Sequence, residues 1–416
     1  MYPNFISFDF SRLSLSKKHL LAWADSFQYF CFFDSNNHKL PNTSFDFIIG
    51  IDATDIYESD VIDTSFENWK KNEFVFGYFG YPIENPYQSG SFNNSKPLFW
   101  FKPRYILYLK DNQLFINRNY PEAFEIFERI QNQKLEHTAK KPKINFKQHT
   151  EKDVYKKNFD HIIEQIKDGI YYELNYCMLF EGKFEQIDPI STFIDLNTQT
   201  KAPMAGILKI QEDYILSFSP ERFVKKEGTT WTTQPIKGTS KRFLDKKLDE
   251  ASRDDLKTNL KERAENLMIV DMARNDLTHY ANVGSIKVDE LCAIYSFEQV
   301  HQMISTISAT IENDFTIPAL KAMMPAPSMT GSPKDSAMQH ISKIENFKRG
   351  VYSGNLGYFM PNGDFDLNVI IRSLYLNLKT KKIFTATGGA ITIQSECDAE
   401  YNECLLKANF LIQFFN

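Results

Sequence analysis

A glutamate and a lysine lie close together in a stretch of sequence that predicts β-structure around both of them. Residues 217–242 read SFSPERF, a polar spacer and then TTQPIKGTSKR. The Ser-Pro step before Glu221 predicts a turn at a strand end, and the run that carries Lys237 predicts a second short strand ending at Gly238. Residues 225–228 between them predict a hairpin that brings the two side chains together.

A carboxyl and an amine placed in this way can act as a general acid and a nucleophile. The same residue types on neighbouring strands are more often a solvated ion pair. These two residues alone leave both interpretations open, and the choice depends on the rest of the chain.

Four glutamates form two pairs with helical spacing. Positions three apart share one face of a helix, so each pair presents two carboxylates on one side. Mg²⁺ takes oxygen ligands and keeps several of its waters, so two such helices can hold one cation between them. The alternative, which the spacing alone favours, is that both pairs are exposed helix charges. The pairs are Glu262 with Glu265 and Glu400 with Glu403, and Lys407 follows the second pair on the same face.

Three glycine-punctuated segments and one arginine complete the candidate residues. PAPSMTGSPK (325–334) predicts a loop entering a helix, where the backbone around Gly331 can offer N–H groups to an anion. YSGNLGY (352–358) and ATGGAIT (386–392) predict strands whose backbone approaches another group closely. Arg372 interrupts an apolar strand and needs an anionic partner, either internal or bound. None of these patterns is a P-loop or a dinucleotide fingerprint.

The elements that must position these residues change character twice along the chain. Residues 1–130 alternate aromatic strands with polar turns and predict an N-terminal β-rich subdomain, residues 131–150 predict a connection, and residues 151–416 predict the catalytic region. In the first part we expect strands at 45–49, 74–81, 98–101, 105–108 and 113–117 and a helix at 122–130. Further on we expect a helix from the N-cap Thr150 to Gly169, a strand at 170–180 that contains Glu173, a helix at 254–277 and a last helix from about Asp398.

Composition limits the class of protein. The 416 residues are 42% hydrophobic and 24% charged with a net charge of −5, which is typical of a soluble protein and gives no sign of a nucleic-acid partner. No apolar run approaches the length of a membrane span, and scattered charges in residues 1–21 argue against a signal peptide. The five cysteines form no CxxC pair, so we expect a reduced protein in the cytoplasm.

The motifs taken together resemble those of the chorismate-utilising enzymes. SPERF, PIKGT, KERAENLMIVDMARNDL, TGSPK, YSGNLGY, IRS, TATGGAIT and EYNECLLK occur in the family's order between residues 150 and 416. In the first third of the chain only FGYFGY (76–81) is familiar. The resemblance implies an α/β fold of the α+β type, like that of anthranilate synthase component I, with two large antiparallel sheets packed on each other and helices outside.

The resemblance also implies a role for each candidate residue. Chorismate is a dianion, and a Mg²⁺ ion on its ring carboxylate draws electron density as the C4 hydroxyl leaves. Glu221 matches the general acid that helps this hydroxyl leave. The expected direct Mg²⁺ ligands are Glu265 and Glu403, supported by Glu262 and Glu400, and the expected substrate contacts are Arg372, Tyr352, Thr239, Lys407 and the backbone at Gly331, Gly388 and Gly389.

Lys237 separates the branches of the family. Members that aminate chorismate at C2 usually read PIAGT, whereas members that aminate it at C4 commonly read PIKGT, as here. In the C4 branch the lysine amine attacks C2 while the hydroxyl leaves, and ammonia then adds at C4 and expels the lysine. A free lysine has a pKa of about 10.4, so we expect the site to lower it. The alternatives are C2 amination to anthranilate and, with less support, formation of isochorismate or salicylate or chorismate binding without turnover.

Two departures from the family pattern bear on the branch. Water-using members carry a lysine at the position of Glu173 and amino-transferring members usually a glutamine, so Glu173 argues against water as the nucleophile while its own role stays open. Gln302 aligns with the histidine that aromatising members use in pyruvate elimination, and His301, one residue earlier, is expected to be structural. Both features are compatible with a product that keeps its enolpyruvyl group.

The nitrogen is expected to come from another protein. No cysteine lies in a GxCxG context, so the sequence shows no glutamine amidotransferase segment. We expect ammonia to be supplied by a separate glutamine amidotransferase subunit in a heterodimer. The product would then serve the synthesis of 4-aminobenzoate (para-aminobenzoate) and folate.

Overall fold

The computed structural model describes residues 5–10, 16–38, 43–81, 97–118, 121–135 and 141–416. In these ranges the chain forms 20 strands and ten α-helices, and no helix there combines the length and apolarity needed to span a membrane. The strands are β1 (Ile6–Asp9), β2 (Tyr29–Asp34), β3 (Phe47–Ser59), β4 (Val75–Phe79), β5 (Leu98–Lys110), β6 (Gln113–Ile116), β7 (Lys147–Gln148), β8 (Glu173–Lys183), β9 (Met204–Ile210), β10 (Asp213–Ser219), β11 (Arg222–Glu227), β12 (Thr230–Gln234), β13 (Ile236–Lys241), β14 (Lys287–Ser296), β15 (Val300–Thr310), β16 (Gly331–Ser332), β17 (Asn355–Phe359), β18 (Phe365–Asn368), β19 (Ser373–Asn377) and β20 (Lys382–Thr392). The helices are α1 (Lys17–Asp25), α2 (Thr64–Lys70), α3 (Glu122–Gln131), α4 (Lys152–Lys167), α5 (Pro189–Thr200), α6 (Lys246–Thr258), α7 (Leu260–Thr278), α8 (Thr316–Met323), α9 (Lys334–Ile344) and α10 (Cys397–Ile412).

All described strands belong to one antiparallel hydrogen-bonded network with two arms. The first arm runs in the order β1, β6, β5, β3, β2, β9, β10, β19, β20 and β8, with β7 and β16 also on β8. The second arm runs β5, β4, β17, β18, β11, β12 and β15, with β13 and β14 also on β15. The expected two sheets are therefore two arms joined through the long strand β5, which pairs with β3 in the first arm and with β4 in the second.

The arms pack against each other around an aromatic core. On β2, Cys31 and Phe33 belong to this core, and the Phe33 ring lies 5.5 Å from that of Tyr358 on β17. Phe30 and Phe32 alternate with them and face the opposite side, where α1, α3 and α5 cover the first arm. Helices α4, α9 and α10 cover β8 and β20 in the same way. The helices therefore lie outside, as the resemblance implied.

Strands from the first 130 residues belong to the same network as the later chain. β2 pairs with β9, and β4 pairs with β17. The strand expected to stop at Gly50 continues through it, because a Cβ there would come 2.5 Å from the ring of Phe76 and only glycine leaves room for that ring. The strands expected at 98–101 and 105–108 are one strand, β5. Of the expected connection, residues 136–140 lie outside the described residues.

Two expected helix boundaries are wrong. The helix expected at 254–277 is broken into α6 and α7 at Asn259, whose side chain accepts a hydrogen bond from the N–H of Glu262 and so caps α7. Helix α4 begins after Glu151 rather than after an N-cap Thr150. The hydroxyl of Thr150 instead donates to Asn346 at 3.3 Å and is not used as a cap.

The hairpin expected within residues 217–242 is present as β11 and β12. Its turn falls at Gly228, which has a φ of +60°, a conformation that glycine adopts readily. Lys225 and Lys226 lie in β11 rather than in the turn, and both are buried. Lys237 lies beyond the hairpin on β13, so it is held by β15, which pairs with both β12 and β13.

Two adjacent crossings carry the chain between the arms. One leads from β10 to β11 through Glu221, and the other leads from β18 back to β19 through Arg372. Backbone hydrogen bonds of 3.1 Å join them, from the N–H of Val369 to the carbonyl of Glu221 and from the N–H of Phe218 to the carbonyl of Arg372. Two candidate residues that are far apart in sequence are thus brought to one junction of the arms.

Candidate active site

One cavity of about 550 Å³ opens beside this junction, between the sheet arms and helices α7 and α10. All of the site residues expected from the sequence line it except Gly331. The charged members come from both arms and both helices, so the cavity collects residues from four separate parts of the chain. Its expected lining residues are Glu221, Lys237, Thr239, Glu262, Glu265, Tyr352, Arg372, Gly388, Gly389, Glu400, Glu403 and Lys407.

Glu221 is a buried acid in the crossing between β10 and β11. Its side chain accepts a hydrogen bond from Ser328 Oγ at 2.8 Å. Burial raises the pKa of Glu221 to about 7, against the opposing effects of the Ser328 hydrogen bond, the charge of Lys237 and the N–H of Ile236. A carboxyl with a pKa of about 7 is about half protonated at neutral pH, so a substantial fraction of the protein carries the proton that a general acid must donate.

Lys237 lines the same cavity from β13. Its Nζ donates a hydrogen bond to Glu173 Oε1 at 3.0 Å. Burial alone would lower the pKa of Lys237, but the carboxylates of Glu173, Glu265 and Glu403 outweigh burial and raise it. The expectation that the protein lowers this pKa is therefore wrong, because the amine is surrounded by negative charge.

Glu173 is the residue whose role the sequence left open. It begins β8, where it pairs with Thr392 of β20 and Ser332 of β16. Its side chain is only 1% exposed. Oε1 accepts the hydrogen bond from Lys237, and Oε2 has no hydrogen-bond partner within the described residues. The structure therefore makes Glu173 the ion-pair partner of the candidate nucleophile.

The four glutamates of α7 and α10 face each other across the cavity. Burial raises the pKa of Glu262 and of Glu400, with further increases from the neighbouring charges of Glu265 and Glu403 respectively. Burial also acts on Glu403, but the contact with Lys407, at 2.6 Å, outweighs it and lowers the pKa of Glu403. The spacing alone favoured exposed charges, and the Glu403 side chain is indeed 52% exposed, but the fold brings both pairs to the same cavity.

These carboxylates fit a hard cation chemically, although their side chains are not gathered around one point. In the described ranges no three His, Cys, Asp or Glu side chains lie close enough to hold a metal ion as they stand. The donor set consists of oxygen atoms only, which is the set that Mg²⁺ prefers. The charges of Glu265 and Glu403, which help raise the pKa of Glu262 and of Glu400, repel those carboxylates, and a divalent cation relieves such repulsion.

Arg372, in the crossing from β18 to β19, provides positive charge in the cavity. Its guanidinium makes no hydrogen bond or ion pair with any of the described residues, and it lines the cavity together with Tyr352. Burial lowers the pKa of Arg372, against the opposing charges of Tyr352 and Glu403. The internal partner that such an arginine usually needs is therefore missing from the described chain, which favours a bound anion.

The three glycines expected in the site lie in different places relative to the cavity. Gly331 lies outside the cavity, because it pairs with Leu174 on β8, where a Cβ would come 2.1 Å from the carbonyl oxygen of Glu173. Its expected backbone contact with substrate stays a prediction. Gly388 and Gly389 do line the cavity, and the carbonyl of Gly388 accepts a hydrogen bond of 3.0 Å from Lys407.

Two neighbouring residues on β15 point in different directions. His301 contacts Ser296 and Asp249, at 2.8 and 3.2 Å, and does not line the cavity, as expected of a structural residue. Gln302 does line it, and its Oε1 is buried without a hydrogen-bond partner among the described residues. The alternation of side chains along a strand is the signal that separates the two.

Sequence reasoning missed two polar residues that support the site. Ser328 lines the cavity and bonds Glu221, and its carbonyl accepts a hydrogen bond of 2.9 Å from the side chain of Asn175. Ser328 stands in the PAPSMTGSPK segment, which had been singled out for Gly331. The segment therefore reaches the cavity through Ser328 as well, a position that its glycine pattern did not indicate.

The family model for chorismate binding enzymes matches residues 42–413. The chain belongs to this family. Its fold is that of a crystal structure of anthranilate synthase component I from Streptococcus pneumoniae TIGR4, with a TM-score of 0.73 and 23% identity over 81% of this chain and 80% of that one. The α/β fold expected from the sequence is thereby confirmed.

Two curated relatives each match somewhat more than three fifths of the chain. Over 261 residues the sequence is 38% identical to a probable chloroplastic aminodeoxychorismate synthase of Oryza sativa subsp. japonica, a match that covers 62% of this chain and 29% of that protein. Over 263 residues it is 35% identical to aminodeoxychorismate synthase component 1 of Escherichia coli K12, covering 63% and 57% respectively. The match spans less than two thirds of the length of either relative.

Proposed function

We propose that this chain is an aminodeoxychorismate synthase component I, which aminates chorismate at C4 to give 4-amino-4-deoxychorismate. One observation carries the proposal: Lys237 lines the same cavity as Glu221, a buried acid with a pKa of about 7. A protein that only binds chorismate has no use for an amine and an acid in this arrangement. The names of the relatives in rice and Escherichia coli support the same reaction.

The charges of the cavity suit a small dianion. Arg372, which has no anionic partner in the described chain, can bind one carboxylate bidentately. Lys407 lies next to Gly388, and Tyr352 and Thr239 add further polar contacts along the wall. We assign the substrate's carboxylates to Arg372 on one side and to the α7 and α10 side on the other.

The proposed chemistry uses the two central residues in turn. The neutral amine of Lys237 forms a bond to C2, both ring double bonds shift, and the C4–O bond breaks with the proton of Glu221 leaving with the hydroxyl as water. Ammonia then forms a bond to C4, both double bonds shift back, and the electron pair of the C2–N bond returns to Lys237. The proton that ammonia loses restores Glu221, so that chorismate and ammonia give the 4-amino product and water.

We infer that the carboxylates of the two helices hold Mg²⁺ with the substrate. Glu265 and Glu403 are assigned as direct ligands, and Glu262 and Glu400 as their supports. When bound, the ion neutralises the ring carboxylate and withdraws electron density as the hydroxyl leaves. Lys407 stays on the same helix face as Glu403 and can keep its bond to the backbone of Gly388.

The nitrogen source and compartment are part of the proposal. "Component 1" in the name of the Escherichia coli relative supports a separate partner, which we assign as a glutamine amidotransferase subunit that supplies ammonia. All five cysteines are free thiols, which suits the cytoplasm or another reducing compartment. The product would then enter 4-aminobenzoate and folate synthesis.

Product identification tests the proposal directly. The protein is incubated with chorismate, Mg²⁺ and ammonium, and the products are separated by chromatography and identified by mass spectrometry. We expect a 4-amino product that retains the enolpyruvyl group and that a lyase converts to 4-aminobenzoate. Anthranilate, the product of the nearest alternative, would overturn the proposal, as would full 4-amination by a Lys237→Ala variant.

A further inference from the structure

We propose that Glu173 is the proton acceptor of Lys237: it holds the amine in the cavity and takes its proton before the amine attacks. This inference rests on the proposed function, in which Lys237 is the nucleophile. It gives a role to Glu173, whose residue type differs from that of both the water-using and the amino-transferring members of the family.

The contact itself is direct and mostly buried. Lys237 Nζ lies 3.0 Å from Glu173 Oε1, and the side chains are 12% and 1% exposed respectively. An ammonium group has no lone pair, so it must lose a proton before nitrogen can bond to carbon. Bulk water has little access to this pair, and the carboxylate already shares the proton in a hydrogen bond.

No other described carboxylate is placed to do this. Glu221, Glu262, Glu265 and Glu403 also face the cavity, but none of them lies within ion-pair distance of Lys237. Glu403 is bound by Lys407 at 2.6 Å and Glu265 is near Lys261 at 3.8 Å. Glu221 donates its own proton to the leaving hydroxyl and so cannot accept one at the same step.

The fold fixes the acceptor from both sides. β8 lies between β16 and β20, and Gly331 on β16 is packed so closely that a Cβ would come 2.1 Å from the carbonyl oxygen of Glu173. The second carboxyl oxygen, Oε2, is buried and has no hydrogen-bond partner in the described ranges. A carboxyl with one free oxygen can carry the proton without breaking another contact.

The step balances in protons and electrons. One N–H bond of the Lys237 ammonium breaks and its proton goes to Glu173, which leaves a lone pair on Nζ to form the C2–N bond. When ammonia later bonds to C4, the C2–N electron pair returns to Nζ. Glu173 then gives the proton back and restores the ion pair.

Trapping of the lysine adduct tests this role. Wild type, Glu173→Gln, Glu173→Asp and Glu181→Gln are incubated with chorismate and Mg²⁺ without ammonia, and the mass of the Lys237 peptide is followed with time. Glu181 is the matched control, because it lies on the same strand and pairs with Lys382 at 2.9 Å, away from the cavity. We expect Glu173→Gln to form the adduct about 100-fold more slowly, the lower range for a lost general base, with an unchanged chorismate dissociation constant.

The outcomes separate the possibilities. Partial rescue by Glu173→Asp and a wild-type rate in Glu181→Gln support the inference. Adduct formation at the wild-type rate in Glu173→Gln overturns it, and so does an equal loss in Glu181→Gln or a loss explained by weaker chorismate binding.

A second readout does not depend on the reaction. Acetic anhydride modifies neutral amines, and we expect Lys237 to be modified faster in Glu173→Gln than in wild type, because its ion-pair partner is gone. If this labelling is unchanged, the contact is not formed in solution and the inference fails whatever the product is. If the labelling changes but wild type forms neither adduct nor 4-amino product, the contact stands and the proposed function fails.

Discussion

Ser328 donates a hydrogen bond of 2.8 Å to Glu221, and this contact is the largest of the three effects that oppose burial at the proposed acid. Burial favours the neutral carboxyl, whereas a hydrogen bond from a hydroxyl favours the carboxylate. The balance leaves the pKa of Glu221 at about 7. The working pH range of the site therefore depends on a residue outside the expected set.

The first prediction concerns pH. Because Glu221 must carry a proton, we expect kcat to fall as the pH rises through about 7. Ser328→Ala removes a bond that favours the charged form, so it should raise the pKa of Glu221 and move this fall upward by about one pH unit. The measurement is kcat against pH for both proteins. The control is Ser26→Ala, which removes a hydroxyl that donates to the carbonyl of Trp23, away from the cavity. If kcat falls at a lower pH in Ser328→Ala than in the wild type, Glu221 is not the acid.

The second prediction concerns stability. Lys237→Met leaves Glu173 buried and without its ion-pair partner, so we expect it to cost about 3–5 kcal/mol of unfolding free energy near neutral pH. Adding Glu173→Gln removes the uncompensated charge and should recover much of this loss. Urea unfolding of the two variants and of the wild type measures the difference. Equal stability of the single and the double variant would show that the charge is compensated by something else.

Most of the candidate site could be read from the sequence, because its residues lie in short motifs with fixed spacing. The glutamate pairs follow helical periodicity, and Lys237 and Glu221 stand beside recognisable turn signals. Ser328 and the true position of Gly331 could not be read in this way. They depend on which strand β16 pairs with and on where the crossings meet, and neither follows from local spacing.

The same limit applies to the fold. Periodicity predicted the individual strands, but it did not predict that β3 runs through Gly50 or that β5 joins the two arms. That continuation depends on the ring of Phe76 lying against Gly50 from a different strand. The break at Asn259 is different, since an asparagine three residues before Glu262 is a local capping signal that the sequence did contain.

The third prediction concerns the support behind the cavity wall. Arg349 pairs with Glu345 at 2.6 Å, and its other N–H groups donate to the carbonyls of Met329 and Asn175 at 2.6 and 2.9 Å. Both of those residues line the cavity. Arg349→Met should therefore cost about 3–5 kcal/mol of unfolding free energy and also lower kcat, since it breaks a buried pair and releases two parts of the wall.

An exposed arginine provides the comparison. Arg253 pairs with Asp254 at 3.2 Å on the surface of α6, with both side chains about half exposed. Arg253→Met should change stability by less than about 1 kcal/mol and leave kcat unchanged. If urea unfolding shows the same loss for both variants, the buried pair has no special role in the site.

The fourth prediction concerns the cation. A ligand that binds only the folded protein stabilises it, by about 2.7 kcal/mol at a concentration of 100 times its Kd. We therefore expect Mg²⁺ with chorismate to raise Tm, and Glu265→Gln to remove most of the part of this rise that depends on Mg²⁺. Glu250→Gln, a substitution of an exposed glutamate on α6, should keep the full rise in Tm.

The Mg²⁺-dependent rise in Tm should also depend on pH. Burial and the charge of Glu265 raise the pKa of Glu262, so protons compete with the cation, and the rise should shrink as the pH falls. A rise that is the same in Glu265→Gln and Glu250→Gln would place the cation elsewhere, because the four carboxylates then contribute nothing to its binding.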